Sequence, residues 1–414
     1  MTALAIRTVK LRLLVVVLMV LGVPAVSAKT VTVTNSATLD AAVASAAGGD
    51  TILLEAGSYG SVTINNKVFT DVVSIRAKQP LQAILEQLTI TQSSKLEIDG
   101  ITVANPGNGG GASALVSVLG GSSHISVKNS VIHGLVDGQF DGWYGLHTSN
   151  SDTIRFDNNR VHDVRVGVVS FSDNVTVVEN VFEDIGEDSM KFAGNNLLIE
   201  NNTGATNYHP LPGYHADFIQ FQGSSANVTV RGNVSVQSDM SDLNQGIFAD
   251  NGTFSNFLIE HNVIYHGLNN AIFVNDKLAT STTASNIVAR NNTVLTFPNA
   301  GNKASIISVA GSKENNVFGW YQSQIDSGPD RSIQYVDSSK PDYYNAYYLN
   351  PMKGEGTTLA DLAPVSGGPA DCGSGLGAEA RICALLASPP APPTNPRSGS
   401  WTLAPLLILL GEPD

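Results

Sequence analysis

ISVKNSVI (residues 125–132), IRFDNNRV (154–161), VTVVENVF (175–182) and VTVRGNVSV (228–236) are copies of one sequence pattern. In each copy, apolar and polar residues alternate over four or five positions, a polar residue follows, and a short apolar run comes next. The pattern returns in LLIENNTG (197–204), LIEHNVI (258–264) and IVARNNTV (287–294). The recurring polar residues lie 21 to 31 residues apart, at Ser130, Asn159, Asn180, Asn202, Asn233, Asn262 and Asn292. This variable period indicates one structural unit that carries loops of different length.

Alternation with a period of two is typical of β-strands rather than helices. A unit of about 21 residues is too short for a propeller blade or a strand-plus-helix repeat, but it fits one coil of a β-helix. We therefore predict an all-β fold, a single-stranded right-handed parallel β-helix with an N-terminal capping helix and an irregular C-terminal tail. The recurring Asn is expected to end a strand in the left-handed conformation that Asn tolerates. Its side chain is expected to hydrogen-bond to the coils above and below.

The N-terminal region fits the same fold. ATLDAAVASAA (residues 37–47) is an amphipathic helical stretch, and GGDTILLEAGSYG (48–60) follows it. A short helix can cover the apolar end of the first coil. With this helix, the Gly-Asp-Thr-Ile strand and the Gly-x-Tyr turn, the chain resembles the pectate-lyase-like superfamily over roughly residues 30–335. That resemblance implies the fold more than a reaction, because the fold hosts lyases, hydrolases, epimerases and adhesins.

The charge balance disfavours nucleic acid as a partner, because 23 basic residues face 36 acidic ones, the net charge is −13, and no basic tract occurs. Arg7, Lys10 and Arg12 precede an apolar run at 13–23, and small residues follow up to Ala28. This is the layout of a cleaved secretory signal peptide. The apolar run is shorter than the ~20 residues that a spanning helix needs. We expect a secreted or periplasmic protein without a stable membrane span.

Four segments follow from these patterns: a signal peptide (1–28), a right-handed parallel β-helix domain (29–336), an irregular C-terminal cap (337–388), and a Pro-rich linker and tail (389–414). Cys372 and Cys383 can close one small loop, but two cysteines cannot form a disulfide framework for a chain of this length. We expect a monomer.

The strands that precede the Asn strands can also be aligned. They read YGLH (144–147), VGVV (166–169), DSMK (188–191), DFIQ (217–220), QGIF (245–248) and NAIF (270–273). The third position is always apolar and is expected to point inward, so the fourth must point outward. Stacked coils lie ~4.8 Å apart. Lys191 is therefore predicted beside Gln220 of the next coil, with His147 two coils below it.

These alignments give the candidate residues of a site. GYHADFIQFQG (213–223) resembles a His-x-Asp-x-Ile-Gln segment of exported β-helix proteins associated with acidic polysaccharides. Tyr-Gly-x-His at 144–147 loosely resembles an active-site segment of mannuronan C5-epimerases, but it lacks that segment's Asp-Pro pair. We predict the catalytic residues Lys191, His215, His147 and Tyr144. The predicted substrate-binding residues are Gln220, Gln245, Arg165, Trp143 and Phe248.

A group of carboxylates lies next to the same strands. Asp184, Glu187, Asp188 and Asp217 could bind Ca²⁺, a hard cation that takes oxygen ligands. The alternative interpretation of the first three is a solvated acidic turn. Calcium is accordingly the one cofactor that the sequence suggests.

The candidate residues match the needs of uronate chemistry. Removal of the proton at C5 requires neutralisation of the adjacent carboxylate by a cation, a metal ion or amide donors, and then a base and an acid. We predict an exported carbohydrate-active enzyme, a lyase that cleaves an acidic, uronate-containing polysaccharide by β-elimination. The alternatives are a uronate C5-epimerase, a glycoside hydrolase that uses two carboxylic acids, and a non-catalytic glycan-binding surface protein.

Overall fold

The protein is described by a computed structural model that covers residues 27–105, 113–136, 141–204, 216–237, 244–267, 270–275, 281–296, 306–320, 334–337, 345–351, 353–354 and 356–387. The predicted signal peptide, but for its last two residues, and the tail at 389–414 lie outside these ranges. The described chain is built almost entirely from parallel β-strands that pair from coil to coil. The fold is therefore a parallel β-helix, as predicted.

A short helix directly follows the first strand of the described chain. Helix α1 (Ser36–Ser45) is capped by Asn35, whose side chain accepts a hydrogen bond from the Thr38 N–H, and it buries Leu39 and Val43 against the first coil. It confirms the predicted capping helix. The strands of the first coils are β1 (Thr30–Val33), β2 (Thr51–Leu54), β3 (Gly57–Ser58), β4 (Ser61–Asn65), β5 (Val68–Ala77), β6 (Ala83–Leu85), β7 (Gln87–Thr91), β8 (Ser94–Asp99), β9 (Thr102–Ala104), β10 (Ala114–Leu119), β11 (Ser123–Lys128) and β12 (Val131–His133).

Some of the later strands are long, because they continue around the bends between faces. They are β13 (Asp141–Asp157), β14 (Arg160–Val178), β15 (Val181–Ile185), β16 (Met190–Glu200), β17 (Thr203–Gly204), β18 (Asp217–Arg231), β19 (Val234–Val236), β20 (Gln245–Asp250), β21 (Thr253–Glu260), β22 (Val263–His266), β23 (Asn270–Val274), β24 (Thr283–Arg290), β25 (Thr293–Thr296), β26 (Ile306–Val309), β27 (Gly311–Glu314), β28 (Val317–Trp320) and β29 (Gln334–Asp337). Each coil has three faces. In one coil the first face is 144–149, the second 152–157 and the third 160–164.

The predicted register of the first face is confirmed. Its inward column pairs in order from coil to coil, and every member is fully buried: Leu146, Val168, Met190, Ile219, Ile247 and Ile272. The inward side chains of all three faces join one continuous apolar core. The fourth positions consequently point outward, as the alternation of the strand requires.

A buried ladder of amides lies between the second and third faces. Each Asn side chain accepts from the N–H and the side-chain amide of its counterpart in the preceding coil, at 2.9–3.0 Å, and donates to a backbone carbonyl. The ladder comprises Ser130, Asn159, Asn180, Asn202, Asn233, Asn262, Asn292 and Asn316, all with negligible exposure.

One detail of the predicted Asn position was wrong. The left-handed backbone occurs at the residue before each ladder position: Asn129, Asn158, Glu179, Asn201, Gly232, His261, Asn291 and Asn315 have φ between 50° and 65°. The ladder residues themselves need an ordinary backbone, because their side chains must point into the coil to reach the next amide. A second, exposed ladder of left-handed Asn residues joins the first and second faces, through Asn174, Asn196, Asn227, Asn256 and Asn286.

Charged residues form a third column at the end of the second face. In register, the column alternates in sign except at Val178, and it runs Arg76, Asp99, Lys128, Asp157, Val178, Glu200, Arg231, Glu260, Arg290, Glu314. Arg231 contacts Glu200 at 2.8 Å and Arg290 contacts Glu260 at 2.7 Å. Opposite charges therefore face one another where like charges would repel.

The C-terminal segment packs along the outer side of the third face. It contains a 3₁₀ helix (Leu359–Leu362) and helix α2 (Glu379–Ala387), and a disulfide joins Cys372 to Cys383. Tyr348, Leu362 and Ile382 form a buried cluster with Val263 and Tyr265 of the coils. Within the described residues, neither helix has the length and apolar character that crossing a membrane would require.

The buried amide ladder should be a main source of stability. Asn233→Ala removes the acceptor for the Asn202 N–H, and a buried donor without a partner costs roughly 1–3 kcal/mol. We expect Asn233→Ala to lower the free energy of unfolding by about 2–4 kcal/mol, because its other side-chain bonds are lost as well. Chemical denaturation measures the difference.

The control is Asn196→Gly in the exposed ladder, which keeps the left-handed backbone that Gly adopts freely. This variant should lose less than about 1 kcal/mol, because water replaces its lost hydrogen bonds. Equal losses in the two variants would contradict a stabilising role for the buried ladder.

Candidate functional site

The candidate site lies on the outer side of the first face. We call this surface the outward strip, and it has two columns. One column contains Ser117, His147, Val169, Lys191, Gln220, Phe248 and Phe273, in register from coil to coil. The other contains Leu119, Ser149 and Phe171 in successive coils and, higher up, Gln222 and Asp250. Lys191 and Gln220 are direct neighbours, as the alignment predicted.

Lys191 is the cation of this strip, and carboxylates surround it. Its side chain is 21% exposed, and its Nζ lies 3.9 Å from Asp188 Oδ2. Asp188 and Asp217 stack in adjacent coils and are 2% and 1% exposed. Two hydrogen bonds hold the coils together here: the Asp217 N–H donates to the Asp188 side chain at Oδ1 (3.0 Å), and the Ser189 N–H donates to the Asp217 carbonyl (2.9 Å).

Burial of these carboxylates makes them hold protons more strongly than ordinary aspartates. Burial raises the pKa of Asp188 to about 7, against the opposing effects of the Lys191 charge and the Asp217 N–H. The pKa of Asp217 is also raised well above its usual value, first by burial and then by the negative charges of Asp188 and Asp250. Two like charges so close together and out of water cannot both ionise readily. The pair therefore retains a proton near neutral pH.

Asp250 is a third carboxylate, and the sequence prediction missed it. It is partly exposed on the strip, and burial raises its pKa while the Lys191 charge opposes that rise. It lies two residues beyond Phe248, so it points to the same side of the strand. The aligned four-residue segments end at Phe248, and two more positions would have included Asp250.

Several buried oxygen atoms near this centre have no hydrogen-bond donor among the described residues. They are Asp217 Oδ1, Gln220 Oε1, Asn244 Oδ1 and Asp250 Oδ1. Buried acceptors without a partner are uncommon and costly in folded proteins. Those of Gln220 and Asp250 belong to residues of the strip itself.

The four carboxylates predicted to bind calcium do not assemble as a set. Glu187 is engaged by Arg165, whose Nε lies 2.6 Å from Glu187 Oε2. Asp188 accepts a hydrogen bond from the Asp217 N–H, and Asp184 lies in β15 with a left-handed backbone. Among the described residues, no cluster of three or more Asp, Glu, His or Cys side chains is arranged to hold a metal ion. Calcium binding by these carboxylates stays a prediction.

The remaining predicted residues are placed as follows. His147 lies two coils from Lys191, with Val169 between them, so it is not next to the cation. Tyr144 packs against His147. Trp143 is partly buried against the core, Gln245 is buried in register with Asp217, and Phe248 packs against Phe273 at 5.7 Å between ring centroids. Arg165 has its guanidinium paired with Glu187, and His215 lies outside the described residues.

Comparisons with known proteins agree with the fold. A family model described as "Right handed beta helix region" matches residues 87–253 and 144–319. A comparison with curated proteins found no match to the chain.

Three solved structures illustrate the likeness. A PL6 family polysaccharide lyase from Pseudopedobacter saltans is 15% identical, with a TM-score of 0.41, over 75% of this chain and 94% of that one. A GH136 lacto-N-biosidase from Eubacterium ramulus is 12% identical, with a TM-score of 0.46, over 74% and 67%. A surface adhesin of Streptococcus pneumoniae is 13% identical, with a TM-score of 0.45, over 67% and 83%. Similarity at this level concerns the fold alone.

The raised pKa of Asp188 predicts a pH-dependent stability. Its folded pKa of about 7 exceeds the usual 3.8, so the folded protein binds more protons than the unfolded chain between these values. The free energy of unfolding should therefore fall as the pH rises from about 4 to about 7. Asp188→Asn keeps an oxygen for the Asp217 N–H and removes the charge. At pH 7 we expect it to stabilise the protein by about 1 kcal/mol or more.

Thermal melts at pH 4 and pH 7 test this expectation. The gain from Asp188→Asn should shrink towards pH 4, where both states hold the proton. Asp71→Asn, the same change at an exposed position, is the control and should change little at either pH. A gain that is equally large at both pH values would show that Asp188 does not titrate as described.

Proposed function

The chain belongs to the right-handed β-helix family, and we propose that it is an exported carbohydrate-active enzyme whose outward strip cleaves an acidic polysaccharide by β-elimination. The observation that carries the proposal is the position of Lys191. It is a partly exposed cation on the strip, held 3.9 Å from a buried carboxylate. Fold membership does not select the reaction, because function depends on the site that a fold carries.

Lys191 suits the first requirement of uronate elimination. The proton at C5 becomes acidic enough to remove only when the neighbouring carboxylate is neutralised, and an ammonium group in a partly buried site can do this. Protonation within the Asp188–Asp217 pair reduces the negative charge that would otherwise oppose Lys191. A substrate carboxylate can then contact the ammonium without meeting three ionised aspartates.

Asp250 suits the second requirement, a base. The Lys191 ammonium lies 3.9 Å from the Asp188 carboxyl group and is partly exposed on the strip, so we assign it the role of a fixed cation rather than of the base that the sequence suggested. Asp250 is partly exposed on the strip, and its Oδ2 accepts a hydrogen bond from the Asn251 side-chain amide at 2.7 Å. Burial raises its pKa, which makes it a stronger base than an ordinary aspartate. In this mechanism Lys191 binds the carboxylate and Asp250 removes the C5 proton. The electron pair then forms the C4–C5 double bond, the C4–O4 bond breaks, and the departing oxygen takes a proton from water.

One observation favours a second function, glycoside hydrolysis. Three carboxylates with raised pKa values, Asp188, Asp217 and Asp250, lie close enough to interact electrostatically. Pairs of carboxyl groups whose environments separate their pKa values are the basis of acid and base roles in glycosidases. The products separate the two reactions, because elimination creates a conjugated double bond that absorbs in the ultraviolet and hydrolysis creates only new reducing ends.

The test is an assay of ultraviolet absorbance and reducing ends on polygalacturonate and alginate with matched variants. Lys191→Ala should lower the rate by about 10²–10³-fold, because the substrate carboxylate loses its counter-charge. Asp250→Asn should lower it by about 10²–10⁴-fold through loss of the base. Lys191→Arg should retain activity within about tenfold of the parent, because guanidinium keeps the positive charge.

Lys78→Ala is the control, because Lys78 forms an exposed ion pair with Glu55 away from the strip. It should act like the parent protein. An inactive Lys191→Arg would instead make Lys191 the base, since guanidinium cannot give up its proton. Full activity of Lys191→Ala would exclude the strip as the site of reaction, and reducing ends without new absorbance would favour the hydrolase.

A further inference from the structure

An aromatic cluster lies at one end of the outward strip and has no role in the chemistry described above. It consists of Tyr144, His147 and Phe171. Phe171 is 44% exposed, and it is the aromatic member of the large hydrophobic side chains that are exposed in the described chain. A single exposed apolar side chain is ordinary on a protein surface. What distinguishes Phe171 is its position beside the candidate site and the groups that surround it.

The three rings form an ordered arrangement rather than a loose patch. His147 packs edge-on against Phe171, with 6.2 Å between ring centroids and 85° between planes. Tyr144 packs edge-on against His147, also at 6.2 Å, with 72° between planes. Edge-to-face packing of this kind is favourable and restricts the motion of the rings. The exposed ring of Phe171 is therefore held in a defined orientation.

The cluster also carries polar groups that are available to a ligand. Within the described residues, neither the Tyr144 hydroxyl nor the ring nitrogens of His147 make a hydrogen bond, and both side chains are partly exposed. Burial lowers the pKa of His147, so its ring is neutral at neutral pH and has one donor and one acceptor nitrogen. A pyranose has an apolar C–H face and hydroxyl groups around its edge. The face can stack on an exposed aromatic ring, and the hydroxyl groups can bond to the neutral polar groups beside that ring.

The position of the cluster relates it to Lys191. Val169 pairs in register with Lys191, and Phe171 follows Val169 by two residues on the same side of the strand. Phe171 is therefore one coil from Lys191 and His147 is two coils away, that is, ~5 Å and ~10 Å along the axis. A polymer bound lengthwise at Lys191 would place a neighbouring sugar on the cluster.

We propose that Tyr144, His147 and Phe171 form a sugar-binding subsite, in which a pyranose ring of the acidic polysaccharide stacks on Phe171 and hydrogen-bonds to Tyr144 and His147. This inference rests on the proposed function for the identity of the polymer. The subsite makes the enzyme bind an extended chain rather than a single sugar at Lys191. Binding of a protein partner is disfavoured, because three rings are far smaller than the ~800 Å² per partner of a specific interface.

The experiment measures binding separately from catalysis. Affinity electrophoresis in gels that contain polygalacturonate or alginate is carried out in a Lys191→Ala background, with and without Phe171→Ala. Phe171→Ala should weaken binding to the polymer by at least about tenfold, which corresponds to about 1.4 kcal/mol. Phe171→Trp should retain binding, because a larger ring can still stack. With Lys191 intact, Phe171→Ala should raise KM more than it lowers kcat.

Val68→Ala is the matched control, because Val68 is 76% exposed on β5, away from the strip. It should bind like its parent. Unchanged binding of Phe171→Ala, or no binding of either polymer by the Lys191→Ala parent and the unmodified protein, would overturn the subsite. If Lys191→Ala stays fully active while Phe171→Ala loses binding, the proposed reaction site fails and the subsite stands. If Lys191→Ala is inactive and Phe171→Ala binds normally, the subsite alone fails.

Discussion

Each coil of this protein lies directly on the next one, and this contact decides which side chains every column can hold. A residue at a given position faces its counterparts ~4.8 Å above and below. The stacked side chains of one column must therefore be able to pack against one another or to hydrogen-bond. Aliphatic side chains meet this condition in the core. Asn meets it where a buried polar group is needed, because an amide both donates and accepts and a column of amides satisfies itself. Asn180, Asn202 and Asn233 show this, each bonded to the next at 2.9–3.0 Å.

Charged side chains of the same sign repel one another when they are stacked. In this chain, positive and negative residues alternate along the column instead. Glu200, Arg231, Glu260 and Arg290 follow one another in register, so each charge faces an opposite one. The same alternation disfavours a shift of one coil against the next, because a shifted column would lose its ion pairs. Asp188 and Asp217 break the rule, since two carboxylates stack there and both are buried. The proton that they retain and the nearby Lys191 compensate for the repulsion.

Sequence alone predicted the repeat, the inward column and the neighbours Lys191 and Gln220, because all of these follow from alternation along a strand. It assigned the left-handed backbone to the wrong member of two adjacent residues. The apolar pattern does not show which of Asn201 and Asn202 has the left-handed backbone. The structure shows it, because the side chain of Asn202 points into the coil and forms the ladder. The contacts of residues at the edges of the outward strip could not be predicted from the sequence either. The pairing of Arg165 with Glu187 and the burial of Asp217 depend on how the bends close around them, and strand periodicity contains no information about those bends.

With a net charge of −13, the protein as a whole repels the acidic polymer that it is proposed to bind. The outward strip itself carries little negative charge. Its outward residues are mostly neutral, including His147, Gln220, Gln222 and the rings of Phe171 and Phe248. Lys191 supplies one positive charge, and the buried aspartates beside it hold a proton near neutral pH. Long-range attraction therefore cannot bring the polymer to the protein, and short-range contacts must provide the affinity. In the proposed function, the ordered aromatic cluster next to Lys191 supplies such contacts. Stacking and hydrogen bonds at Tyr144, His147 and Phe171 can hold a chain that the overall charge of the protein repels.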